Sequence, residues 1–166
     1  MLRVRGPSPR PYAGRVGTEQ SWASRRREAA AEHERRLVAR QASENARAQE
    51  LLERFARVAG QAGLPTSALE VQGYGGRGSA RTPLRGWYLR VDRTAAVGTD
   101  GSFYVLTAPL GMWDRLRGVA PEAKPPPLVL GAGGKDGDSI DLRDALERLL
   151  PGWASDQPEE PSAPGS

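Results

Sequence analysis

Gly131, Gly133, Gly134 and Lys135 sit in the run Gly131-Ala132-Gly133-Gly134-Lys135-Asp136, between the apolar segment Leu128–Gly131 and a helical pattern that starts near Leu142. Glycines leading from a strand into a helix can aim backbone N–H groups at an anion, and a lysine adds charge. A Walker loop would need glycine where Val129 stands and serine or threonine in place of Asp136; a dinucleotide fingerprint would need a third glycine at Asp136. The four residues are thus a candidate anion-binding loop without either motif. Asp136, Asp138, Asp141 and Asp144 oppose an anion and complement a helix N-terminus instead. They also lack the order of a calcium loop, because Ile140 occupies the third ligand position and no glutamate closes the run. No metal site and no cofactor is expected.

Arg25, Arg26, Arg27, Arg35, Arg36 and Arg40 form the second candidate site, a partner-binding one. Residues 1–60 carry 13 arginines against 7 glutamates, whereas the remainder carries 11 basic against 13 acidic residues, so the basic character belongs to the N-terminal part. Arginine-rich helices can neutralise phosphates in a sequence-independent way. Glu28, Glu32 and Glu34 stand within a turn of most of these arginines and lower the local potential, which favours a protein partner over nucleic acid.

Other chemistry is sparse. The chain has no cysteine, which excludes disulfides, thiolate metal sites and a thiol nucleophile. Its one histidine, His33, lies among charged residues, with no serine or carboxylate pair spaced to work with it. No catalytic residues are assigned. Gln72–Arg81 reads as a glycine-rich loop with one aromatic, Tyr74, too short for an RNA-binding tract.

These residues need a scaffold. From Glu19 to Ala59 there is no proline or glycine, and helix formers dominate, so a long N-terminal helix is predicted. Its first half is charged nearly all round. Its second half puts Val38, Ala42, Leu51, Leu52, Phe55, Val58 and Ala59 close to one stripe, so it packs on something. A heptad register through Val38, Gln41, Asn45, Ala48, Leu52, Phe55, Ala59 and Ala62 makes a coiled coil the alternative to packing on the chain's own domain. Gly60, Gly63 and Pro65 end the helix.

Alternation at Trp87, Leu89 and Val91 and again at Phe103 and Val105, with turns at Asp92-Arg93-Thr94 and Thr99-Asp100-Gly101, predicts a three-stranded antiparallel meander. Leu69–Val71 and Leu128–Gly131 are further short strands, and Met112–Arg117 is a short helix. Trp87 and Phe103 are assigned to the core face; Tyr88 and Tyr104 lie opposite, where truncation should cost less. Ser139 or Asp141 caps a final helix whose apolar face, Leu142, Ala145, Leu146, Leu149 and Leu150, covers the sheet.

The sequence therefore predicts an α+β protein: a long amphipathic N-terminal helix, then a small antiparallel sheet of three to four strands covered by a C-terminal helix. The expected organisation is a disordered basic arm (1–18), the charged helix (19–60), a compact α+β domain (61–153) and a disordered tail (154–166). Prolines at 7, 9 and 11 interrupt any signal-peptide core, and no apolar run could span a bilayer. The expectation is a soluble, cytoplasmic interaction or adaptor module without catalytic activity. It would meet an unknown protein or a second copy of itself through the long helix; sequence-independent nucleic-acid binding is the alternative, and an enzyme with a noncanonical site the third.

Overall fold

Alanine, arginine, glutamate and glutamine build the first helix, α1 (Val16–Gln61), in the computed structural model, which describes residues 16–131 and 139–155. The chain divides into two units, 1–41 and 42–166, with the division inside α1. Most of the expected arm and tail falls outside the described residues, as do Gly133, Gly134 and Lys135. In the first unit, none of residues 21–41 is buried, and Trp22, Leu37 and Val38 are exposed.

In the second unit α1 turns one face inward: Ala48, Leu52, Phe55, Ala56 and Ala59 are buried. Four of these are heptad positions of the alternative coiled coil, so the chain's own core occupies that seam. Ala42, placed by the sequence on the same stripe, is exposed. The helix stops at a glycine cap. Gly63 takes φ 68°, its N–H donates to the Gly60 carbonyl at 3.2 Å, and the Leu64 N–H donates to the Ala59 carbonyl at 2.9 Å. These are the paired bonds that satisfy the last carbonyls of a helix, and Pro65 prevents its continuation.

Five strands come next: β1 (Ser67–Gly73), β2 (Ser79–Tyr88), β3 (Ala95–Gly98), β4 (Phe103–Val105) and β5 (Thr107–Ala108), in the order β4-β3-β2-β1-β5. All neighbours are antiparallel except β1 and β5, which are parallel. The α+β class is as the sequence predicts, but the sheet is mixed and has five strands. The segment read as a loop, Gln72–Arg81, is instead a hairpin in which glycines 75, 76 and 78 make the left-handed turns between β1 and β2. Pro83 lies inside β2, where it cannot donate to the ladder; the Thr82 hydroxyl donates to the Leu69 carbonyl at 2.7 Å, and the pairing bulges there.

The strand order has a geometric consequence. Strands lie roughly 4.8 Å apart, so the edges of a flat five-stranded sheet would be about 19 Å apart. Yet β4 and β5 are separated only by Leu106, which spans at most about 7 Å between its neighbours. The sheet must curl until its edges meet. Leu106 joins them, donating its N–H to the Thr94 carbonyl (2.8 Å) and accepting from the Gln72 N–H (2.7 Å). The interior of the curl holds Leu69, Val71, Ala96, Tyr104 and Leu106.

The outer face carries Trp87, Leu89, Ala95, Val97 and Phe103, packed with α1 and with the last helix, α3 (Leu142–Leu149), through Leu142, Ala145 and Leu146. Asp141 caps α3, its carboxylate accepting from the Arg143 N–H at 2.8 Å. A short ribbon, β6 (Val129–Leu130) with β7 (Ile140–Asp141), precedes it, and α2 (Met112–Arg117) comes after β5. Phe55 stands edge-on to Trp87 and to Trp153, each 5.6 Å between ring centres. Gly101, at φ 83°, lies so close to α1 that an added Cβ would be 2.8 Å from the Glu53 Cα. Among the described residues, no helix is long and apolar enough to cross a membrane.

Tyr104 and Val91 depart from the sequence expectation. Both sheet faces are covered, so Tyr104, 7 % exposed, is a core residue like Phe103. Val91 is 87 % exposed because β2 ends at Tyr88 and the chain turns at Arg90–Arg93. Phe55→Ala, Phe103→Ala and Tyr104→Ala should each destabilise the chain by about 3–5 kcal/mol, and Val91→Ala by less than about 0.5 kcal/mol. Urea unfolding measures this; a Tyr104 loss as small as that at Val91 would contradict the filled interior.

Candidate interaction surface

The six arginines proposed from the sequence do not share a face. At about 100° per residue, Arg25, Arg36 and Arg40 fall within about 60° of one another, whereas Arg27 and Arg35 lie on other sides. Several are engaged along their own helix. Glu32 binds both Arg35 and Arg36 at 2.9 Å. Arg25 donates from Nε to the Ser21 carbonyl, and its guanidinium lies 4.4 Å from the centre of the Trp22 ring. Exposed i to i+3 and i+4 pairs of this kind stabilise a helix by only tenths of a kcal/mol each. Of the candidate loop, Gly131 is described, exposed and at φ 78°; the other three residues lie outside the described part.

A different surface stands out on α2. Met112 is 86 % exposed, Trp113 68 % and Leu116 77 %. Positions i, i+1 and i+4 lie on one side of a helix, and that spacing reads in the sequence as a face turned inward. The reason it turns outward is that the curl is already filled; Leu110 and Val119, on either side of α2, are the residues that pack against its interior cluster.

The helix is held at both ends. Asp114 accepts from the Gly111 N–H at 2.7 Å, and the Gly118 N–H returns to the Asp114 carbonyl at 2.8 Å. Gly118, at φ 82°, sits where a Cβ would be 2.7 Å from the Arg81 carbonyl, which also accepts from the Val119 N–H. Arg115 reaches the β1–β2 hairpin, donating to the Arg77 carbonyl at 2.6 Å. The Arg117 guanidinium lies 5.1 Å from the centre of the Trp113 ring. Beside α2, a cleft of about 420 Å³ is lined by Arg81, Thr82, Pro83, Arg117, Val119 and Ala120. Three apolar side chains are thus bordered by Arg81, Arg115 and Arg117.

A second cleft, of about 430 Å³, is lined by Arg90, Val91, Asp92, Ser139, Ile140 and Arg148. Its charged groups are committed to the fold. Asp92 accepts from Arg90, from the Thr94 hydroxyl at 2.7 Å and from the Thr94 N–H at 3.0 Å, and Arg148 donates to the Leu89 carbonyl at 2.7 Å. Partial burial pushes the Asp92 carboxyl up, but the bonds from Arg90 and Thr94 outweigh it and bring the pKa from 3.8 down to about 2. A carboxylate held so firmly ionised is a poor general base near neutral pH. It is an anchor for the turn that places Arg93 at φ 60°.

Comparison with family models, with curated proteins and with solved structures finds no match to this chain. Function must therefore be argued from the surfaces themselves.

Because the folded pKa of Asp92 is depressed, its stabilisation is fully present above the unfolded value near 4 and is lost as pH falls through about 2. Melting temperatures of the native chain and Asp92→Asn should differ by a constant amount above about pH 5 and converge between about pH 4 and 2. A gap that persists unchanged into that acid range would show that the ionised carboxylate is not what anchors the turn.

Proposed function

We propose that this chain is a protein-interaction module, with no catalytic role, whose contact surface is centred on α2. The observation that carries the reading is the exposure of Met112, Trp113 and Leu116 together on a helix fixed at both ends. Clustered exposed apolar residues mark contact sites, and tryptophan and arginine are the side chains that most often dominate binding energy. A prepositioned helix also loses little entropy on binding.

The border of arginines selects the partner. Arg81 and Arg117 line the cleft beside α2 and can meet carboxylates, while Asp114, on α2 itself, is committed to Gly111. The fitting partner is a protein segment with an apolar or aromatic centre flanked by Asp or Glu. Self-association through the long helix is disfavoured, since Ala48, Leu52, Phe55 and Ala59 are buried. The absence of cysteine accords with a cytoplasmic setting.

Selection from a random peptide display library with the full chain as bait tests this. Enriched peptides should carry an apolar centre and acidic flanks; Trp113→Ala should weaken their binding by about 30-fold, a loss of about 2 kcal/mol, without moving the melting temperature. Enrichment indifferent to Trp113 would refute the proposal. So would preferential binding to phosphatidylserine vesicles, or salt-sensitive binding to duplex DNA that is lost when Arg25, Arg26 and Arg27 become Gln.

A further inference from the structure

On the outer side of α1, away from the α2 surface in sequence, Arg47, Glu50, Leu51 and Arg54 line a cleft of about 370 Å³ together with Leu128 and Arg143. Spacings of three, four and seven residues put the four α1 positions on one side of the helix. Among the described residues, the side chains of Arg47, Glu50, Arg54 and Arg143 take part in no hydrogen bond or ion pair. Several other arginines are engaged within the chain: Arg35 and Arg36 by Glu32, Arg90 by Asp92, Arg148 by a carbonyl.

Three guanidiniums about one cleft repel one another and cannot shed their protons. Arg143, one residue into α3, is also placed unfavourably for a cation by the helix dipole, at an end that Asp141 caps and where Asp144 lies in the first turn. Neither placement helps the fold. Both are what an incoming anion requires. Glu50 offsets one charge, which leaves a net of +2, and a phosphomonoester carries about −1.5 to −2 at pH 7. A carboxylate would leave a cation unmatched. Leu51 and Leu128, half-buried against the main core, supply an apolar wall beside the arginines.

We propose that this cleft binds a phosphomonoester carried on a small apolar body, with Arg47, Arg54 and Arg143 taking the phosphate and Leu51 and Leu128 the body. The bidentate fork of arginine suits phosphate oxygens, and the volume suits a group of phenyl phosphate size. The group could belong to a free small molecule or to a phosphorylated side chain of another protein. This site is independent of the α2 surface and stands or falls separately.

The test is titration of the full chain with phenyl phosphate and with a short phosphotyrosine peptide, monitored by calorimetry or amide NMR shifts. Saturable binding of either is expected, the tighter one identifying the source, with inorganic phosphate and benzyl alcohol each weaker. Arg54→Gln and Arg143→Gln should each weaken binding by about tenfold or more, as loss of a charge-assisted bond would, with the melting temperature unchanged. Arg26→Gln, in the other unit, should leave it unchanged. The proposal is overturned by absence of saturable binding at millimolar phenyl phosphate, by indifference to Arg54 and Arg143, or by an equal loss at Arg26. Trp113→Ala should not alter this binding, so failure here leaves the α2 reading untouched.

Discussion

One residue, Leu106, sets the geometry of the second unit. Because the strands on either side of it belong to opposite edges of the sheet, the sheet can exist only as a curl, with Leu106 bonded to Thr94 on one side and to Gln72 on the other. Closure of this kind removes backbone groups that an open edge would expose. The remaining β4 edge is met by Lys124, whose N–H donates to the Phe103 carbonyl at 2.9 Å. A curl of five short strands encloses little space, and Leu69, Val71, Ala96, Tyr104 and Leu106 occupy it. The chain beyond β5 must therefore find its place outside, which is where α2 and its three apolar side chains lie.

The outer face needs its own cover, and Phe55 organises it. Its ring meets Trp87 from the sheet and Trp153 from the end of the described chain, so one side chain of α1 ties three distant segments together. Neither indole N–H finds an acceptor among the described residues. Each unmet donor costs about 1–3 kcal/mol, so this cluster is held by apolar burial and edge-to-face ring contact rather than by polar bonds. Gly101 lets the β3–β4 turn close against the same helix, and Gln49 donates to its carbonyl at 3.2 Å. The half of α1 beyond Ala42 is in this sense part of the folded unit.

Local chemistry made much of this legible from the residues. Gly63 with Pro65 marks the end of α1, Asp100-Gly101 marks a tight turn, Asp141 marks a helix start, and alternation separates Trp87 and Phe103 from Tyr88 and Tyr104 correctly onto two faces. Closure was not legible. Nothing in Val105-Leu106-Thr107 signals that pairing changes from β3 to β1, because the partner strand, Ser67–Gly73, is some 35 residues away and is joined to β2 through a glycine-rich turn that resembles a loop. Without closure, the second face looks open to water and Tyr104 looks dispensable. The same omission hides the candidate surface: Met112, Trp113 and Leu116 have the spacing of a buried face, and only a filled interior turns them outward. The cleft of Arg47, Arg54 and Arg143 joins two helices nearly 100 residues apart, a juxtaposition that no local pattern carries.

Closure at Leu106 and the position of α2 outside the curl stand together, and amide hydrogen exchange of the full chain reads both at once. The Leu106 and Gln72 amides should exchange only with global unfolding, in step with those of 48–59 and 95–97, while amides of 111–118 exchange sooner at every protein concentration. Rapid exchange at Leu106 and Gln72 beside a protected β2–β3 pairing would mean an open sheet. That result, or protection of 111–118 that grows with protein concentration, would contradict the account.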